Sequence, residues 1–248
     1  MQLNDLRDYI GSLLDVSRFR DYCPNGVQIE GRSDVFKIAC GVTASRHLLE
    51  SAIDWGADAI IVHHGYFWRG EDAAIAGIKK RRIAHLLKHD VSLLAYHLPL
   101  DAHPDLGNNA QLAKLMGWLE EGRFGEQNIA SYGALPQPQP LSLLEAQLNE
   151  KLNRHPQVIG ELNHTIQRIA WCSGGGQSYF EQAIALGVDA FITGEISEQN
   201  VHVARETGVA FIAAGHHATE RYGVKALGEH LATQFNLEVR FFDLDNPI

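Results

Sequence analysis

The chain is poor in everything that would cross-link it, anchor it in lipid or coat it with positive charge. Its three cysteines, Cys23, Cys40 and Cys172, are isolated and form no C-x-x-C pair. Neither a disulfide framework nor a thiolate zinc site is therefore indicated, and a reducing cytoplasm fits this usage. Proline is sparse at 8 of 248 residues, and the balance of 45% hydrophobic against 21% charged residues excludes a disordered or fibrous chain. Apolar runs such as Ala59 to Val62 and Val209 to Ala214 fall far short of the roughly 18 residues that a membrane span demands. The N-terminal MQLNDLRDYIGSLLDV carries Asp5 and Asp8 where a secretory signal would have a basic start, so it is expected to form a first helix. Basic side chains number 21 against 30 acidic ones, for a formal net charge of -9. General coating of nucleic acid, which needs Lys and Arg clusters to displace counterions, is not expected. The concentrated basic run Lys79 to Arg82 reads as a solvated helix face.

Histidine, by contrast, is abundant, with 13 residues, and its placement follows an internal repeat. Lys37 to His64 and Arg168 to Glu195 align without a gap at an offset of 131, sharing nine identities in 28 positions where about two are expected by chance. Each copy reads as an apolar strand, a turn, a helix with apolar pairs, a closing glycine (Gly56 or Gly187) and a buried strand, which is a βαβ unit. Similarity resumes where Ala95 to Asp101 lies over Ala214 to Glu220, matching His97 to His216 and Asp101 to Glu220. Helices are expected to follow, over 108–116 in one copy and about 219–234 in the other. The predicted architecture is α/β, with two similar interlinked α/β halves arising from an internal duplication and sheets flanked by helices. The first half is placed at 1–125, with 221–248 and its last strand (238–243) packing back on it, and the second at 126–220. The three alternating prolines of ALPQPQPLS, residues 134–142, are expected to make a stiff, extended connection.

Ligands of parallel α/β sheets bind beyond the carboxyl ends of the strands. His63 and His64 follow the strand 58–62, Asp101 follows 92–96, and His216 with Glu220 follows 210–214. Three imidazoles and two carboxylates suit zinc, iron, manganese or cobalt better than calcium or magnesium. Five ligands exceed one open zinc site, so two divalent ions sharing a water are the economical expectation. Neighbouring strand residues point to opposite faces, so His63 and His64 are expected to converge only if the strand has ended there, an exit that Gly65 eases. Among further candidates, His97 is expected to orient a ligand by hydrogen bonding. Glu195 occupies the repeat position of His64 and is a candidate general base or water-orienting group. The Ser173–Gly176 turn fits either a phosphate cradle or a tight strand-to-helix turn. Tyr66, Phe67 and Trp68 fit either a stacking surface or ordinary packing.

The combination of HHGYFW (63–68), HLPLD (97–101), SGGG (173–176), TGE (193–195) and GHHATE (215–220), with DYCPNGVQIEG (21–31), resembles the NIF three-like family, whose members are also called GTP cyclohydrolase 1 type 2 homologs. The resemblance spans nearly the whole chain and matches the compact bacterial type, without the central domain inserted in longer relatives. It implies a dinuclear metal site with His63, His64, Asp101, His216 and Glu220 as ligands, and a ring-shaped homohexamer. The expected activity is hydrolysis of a nucleotide or related phosphorylated compound, with cyclohydrolysis, phosphoester cleavage and clearance of damaged nucleotides all open. The competing expectation is a metal-stabilised ring that binds a protein or nucleic-acid partner without turnover.

Overall fold

A computed structural model describes all 248 residues. The first stretch of chain forms α1 (Leu3–Leu13), β1 (Gly26–Ile29), β2 (Lys37–Thr43), α2 (Arg46–Asp54), β3 (Ala59–His64), α3 (Gly77–His89), β4 (Ser92–Ala95) and α4 (Leu98–Ala102). There follow α5 (Asn108–Met116), β5 (Leu119–Phe124), β6 (Ala130–Pro140), α6 (Leu141–Leu152), β7 (Gln157–Ile159), β8 (Thr165–Cys172), α7 (Phe180–Ala185) and β9 (Ala190–Thr193). The chain closes with α8 (Glu198–Thr207), β10 (Ala210–Ala213), α9 (His216–Phe235) and β11 (Glu238–Phe241). It divides into two compact units, 1–106 with 223–245, and 107–222 with 246–248. No helix is long and apolar enough to cross a membrane.

In the first unit the strand order is β1-β4-β3-β2-β11, with β11, β2, β3 and β4 parallel and β1 antiparallel at the edge. The central strands are buried on both faces, as parallel strands covered by helices on both sides must be. Strand periodicity sorts their side chains. Ile38, Cys40, Ala59, Ile61 and Leu94 meet Leu3, Leu6 and Ile10 of α1 and Val224, Leu227 and Leu231 of α9. Ala39, Ile60, Val62 and Leu93 meet Leu48, Leu49 and Ala52 of α2 and Ile83 and Leu86 of α3. Leu3, Leu6 and Ile10 are buried together because spacings of three and four residues share one face of α1. Ser45 caps α2 by accepting a hydrogen bond from the Leu48 amide.

The second unit has the order β5-β6-β8-β9-β10-β7, with β8, β9 and β10 parallel. Ile169, Trp171, Ile192 and Ile212 face Leu141, Leu144 and Leu148 of α6 and Leu112 of α5. Phe180, Phe191 and Phe211 form an aromatic cluster. The proline stretch does not bridge the halves. It lies inside β6, which pairs with β8, and the ladder is irregular between Ala134 and Gln139. Prolines lack the N–H a regular ladder needs; Pro136 and Pro138 fall in this gap, and Pro140 ends the strand opposite Thr165. Helix α9 starts at His216, three residues earlier than the sequence signals imply, directly after Gly215 at φ 104°.

The duplication extends to atomic detail. Ile38 pairs with Ala59 in one sheet, as Ile169 pairs with Ala190 in the other. Asp58 accepts hydrogen bonds from the Phe36 and Lys37 amides, both at 2.9 Å. Its repeat partner Asp189 accepts from Gln167 and Arg168 at 2.9 and 2.8 Å. Asp58 thus ties the start of β3 to the start of β2, and Asp189 ties the start of β9 to the third and fourth residues of β8.

Candidate metal centre

In the first unit, β2, β3 and β4 run parallel, so their carboxyl ends share one edge of the sheet. His63 and His64 are the last two residues of β3, still inside the ladder, since His64 pairs with Thr43. The strand, expected over 58–62, therefore runs two residues further, and it ends at His64, just before Gly65. The ladder stops at His64, the imidazoles reach past the strand end, and their ring centroids lie 4.5 Å apart. The chain then turns at Gly65, where a Cβ would collide with the Gln28 side-chain oxygen and Ala95.

Each imidazole is fixed through Nδ1. The wholly buried His63 donates Nδ1–H to the Tyr96 carbonyl at 3.0 Å, which leaves the lone pair of the neutral ring on Nε2. That Nε2 lies 3.5 Å from Oδ1 of the buried Asp101, presented by α4. His64 Nδ1 pairs with Thr43 Oγ1 at 3.2 Å. His97 donates Nδ1–H to Asp21 Oδ1 at 2.7 Å. Ligand-capable atoms of His63, His64 and His97 all lie within 4.8 Å of one another.

Sequence reasoning missed Asp21, which lies 76 residues from His97 in a segment without periodic signal. Its side chain is 3% exposed and also accepts from Asn25 Nδ2 and the Leu98 amide, both at 2.9 Å. Asn25 accepts in turn from the His97 amide at 2.8 Å. Burial pushes the Asp21 carboxyl upward, but the hydrogen bond and charge of His97 outweigh it and hold the group below the usual carboxylate range. Cys23 lies in the same cluster. Burial, helped by Asp21, pushes its thiol up to about 12, so it is no ready nucleophile.

In the second unit, His216 opens α9 and Glu220 stands one turn later on the same face. His216 donates Nδ1–H to Glu195 Oε1 at 2.6 Å, and its Nε2 lies 3.1 Å from Glu220 Oε2. Burial disfavours the imidazolium, but the Glu220 and Glu195 carboxylates prevail and raise its pKa to about 9. The glycine turn is built to admit Glu220. A Cβ on Gly174, at φ 63°, would run into the Glu220 carboxylate. Amides of Ser173, Gly174 and Gly176 donate to Asn109 Oδ1, Thr219 Oγ1 and Thr193 Oγ1 at 2.8, 2.9 and 3.0 Å. These donors are spent inside the protein, which decides between the two readings of SGGG in favour of the tight turn. Thr193 and Thr219 were overlooked inside the motifs TGE and HHATE, and Asn109 lies outside any motif.

The family model described as Duf34/NIF3 (NGG1p interacting factor 3) matches residues 1–247. The chain belongs to this family. A DUF34/NIF3 relative from Neisseria meningitidis serogroup A, named GTP cyclohydrolase 1 type 2 homolog, is 53% identical over 243 residues, 98% of either chain. The protein of the same name from Escherichia coli K12 is 49% identical over the full length of both. Among solved structures, protein ybgI, described as of unknown function, matches with TM-score 0.96 at 49% identity over 100% of both chains. TTHA1606 from Thermus thermophilus matches with TM-score 0.90 at 32% identity, again over 100% of both.

The donor sets of this DUF34/NIF3 chain fit divalent cations within each unit. At His63 and Asp101 an imidazole nitrogen and a buried carboxylate oxygen stand 3.5 Å apart, a donor pair of the kind that holds a divalent cation. At His216 the same arrangement is answered by a second proton, a place a cation can take. Backbone and carboxylate acceptors on Nδ1 are the arrangement that fixes the tautomer of metal-bound imidazole.

Proposed function

We propose that this chain is a hydrolase dependent on two divalent metal ions (zinc, iron, manganese or cobalt) and acting on a nucleotide or related phosphorylated compound. The observation that carries the reading is the grouping of His63, His64 and His97, with Nδ1 of His63 and of His97 each donating to a fixed acceptor. The family relatives named GTP cyclohydrolase 1 type 2 homolog support the substrate class. We assign His63, His64, Asp101, His216 and Glu220 as ligands. Bound ions of this kind polarise a water and an oxygen of the substrate. Glu195 keeps His216 in the Nδ1–H tautomer and is a positioning residue through that bond. His97, held by Asp21, is the group we assign to carry a proton to or from the reacting atoms. Ring-opening of a guanine nucleotide, phosphoester cleavage and clearance of damaged nucleotides all fit this chemistry. The assembly attached to the reading is a ring-shaped homohexamer, checked by light scattering.

Elemental analysis of protein stripped with chelator and reloaded with each metal tests the assignment. About two equivalents per chain are expected. His64→Ala and Glu220→Ala should lose metal while keeping the parent circular dichroism and melting curve. Retention of both equivalents by these variants overturns the ligand set. A panel of nucleotides and phosphoesters that shows no turnover with any of the four metals overturns the hydrolase.

A further inference from the structure

Beside the three imidazoles of the first unit lies a loop, Gly65 to Glu71, whose backbone is held in an expensive shape. Phe67 adopts φ 65°, a left-handed conformation that a bulky aromatic residue rarely takes. The surroundings fix it from several sides. Gln28 Oε1 accepts from the Tyr66 amide at 2.6 Å, and Gln28 Nε2 donates to the Tyr66 carbonyl at 3.0 Å. The Tyr66 hydroxyl donates to the Ala44 carbonyl at 2.8 Å. Lys79 Nζ sits 5.1 Å from the centre of the Phe67 ring. The result is that Trp68, half-buried, stands edge-on to His97 with centroids 4.9 Å apart, and 6.0 Å from His64.

A second aromatic ring reaches the same imidazole from another segment. Tyr22, 49% exposed, lies edge-on to His97 at 6.5 Å. Arg69, the residue after Trp68, places its guanidinium 5.7 Å from the Tyr22 ring centre and donates Nη2–H to the Asp21 carbonyl at 2.9 Å. The guanidinium is thus pinned beside the ring, and Arg69 remains exposed. A half-exposed tyrosine and an indole flank one histidine, and an anchored arginine stands beside the tyrosine. Arginine is suited to planar, bidentate recognition of phosphate. Aromatic faces accept any nucleobase by stacking. In a chain of net charge -9, a fixed cation at this point also supplies the local attraction that an anionic ligand otherwise lacks.

We propose that Trp68, Tyr22 and Arg69 form a recognition subsite for a planar heteroaromatic ring carrying a phosphate, with the aromatic side chains taking the ring and Arg69 the anion. The proposal deepens the hydrolase reading and rests on it for its place in a reaction, but its test does not require turnover. Binding of GMP, guanosine and ribose 5-phosphate is measured by calorimetry on metal-stripped and zinc-loaded protein. Parent protein should prefer GMP to ribose 5-phosphate. Trp68→Ala and Tyr22→Ala should each weaken GMP about 10-fold, the loss of one stacking contact, and leave ribose 5-phosphate unchanged. Trp68→Phe should recover most of the loss, which separates stacking from a collapsed loop. Arg69→Gln should weaken both phosphorylated probes and spare guanosine. Equal affinity of parent, Trp68→Ala and Tyr22→Ala for GMP overturns the proposal, as does parent protein that binds no GMP at about 1 mM. Metal binding with no dependence on the ring residues defeats this proposal alone. Ring dependence in protein that takes up no metal defeats the metal assignment alone.

Discussion

The two halves of the duplication keep the same foundation and differ at the tip. At the base of each sheet, Asp58 and Asp189 receive two backbone amides in matching geometry. At the carboxyl end, one copy places His64 where the other places Glu195. Consequently the first unit gathers imidazoles held by a carbonyl, a hydroxyl and Asp21, whereas the second clamps a single imidazole between two carboxylates. The base is a folding contact common to both copies, and the tips differ in the donors they offer.

The largest effect should come from attacking the shared base. Asp58→Ala strands two amides and removes the carboxylate 2.9 Å from Arg32 Nη1, leaving Arg32 its bonds to the Asp90 and His89 carbonyls, and should cost about 3 kcal/mol. Asp189→Ala strands two amides and should cost about 2 kcal/mol. Urea unfolding reads both, and an equal cost would break the view that Arg32 adds to the first base. At the tip, Gly174→Ala thrusts a methyl group into the Glu220 carboxylate from a left-handed backbone. It should cost about 2 kcal/mol by overpacking and strain and lower the metal content, as thermal melts and elemental analysis would show.

Smaller changes sharpen the contrast in charge. His216 has a pKa raised to about 9 from an ordinary 6.5. Its ion pairs therefore stabilise the metal-free fold fully below pH 6.5, and that contribution disappears as pH climbs through about 9. Glu195→Gln should lower the value by about one pH unit, read from the His216 ring protons by NMR. No movement would leave Glu220 as the sole cause. Asp21 behaves in the opposite sense. Its carboxyl is held below the ordinary 3.8, so its contribution is present above that value and fades as pH falls further. Asp21→Asn should cost about 1 kcal/mol near neutral pH and flatten the acid limb of stability. An acid limb identical to that of the parent would remove Asp21 from its anchoring role.

Much of this was legible in the chain because it is local or periodic. The βαβ repeats announce themselves in buried strands, apolar helix faces and closing glycines at φ 83° (Gly56) and 71° (Gly187). Histidines at predicted strand ends follow from the rule that parallel strands bring their carboxyl ends together. Asp21 opens the motif 21–31, but its role was not legible, because nothing in that motif names it as the acceptor for a ring 76 residues away. The prolines of β6 were misread as a connection since extended backbone is common to linkers and irregular strands. Trp68 remained ambiguous for a similar reason, as sequence alone does not distinguish a stacked core from an offered ring.

By itself, the sequence determined the two-fold repetition of the α/β unit and the side chains with the right chemistry at each strand end. Periodicity and residue type act over a few positions and need no third dimension. The tertiary structure alone decided which nitrogen of each imidazole is committed, that the glycine turn makes room for Glu220, and that Asp21 and Arg69 converge around His97 and Tyr22. Hydrogen-bond partners and excluded volume depend on where distant segments are brought by the packing of the core, and that placement is a property of the folded chain.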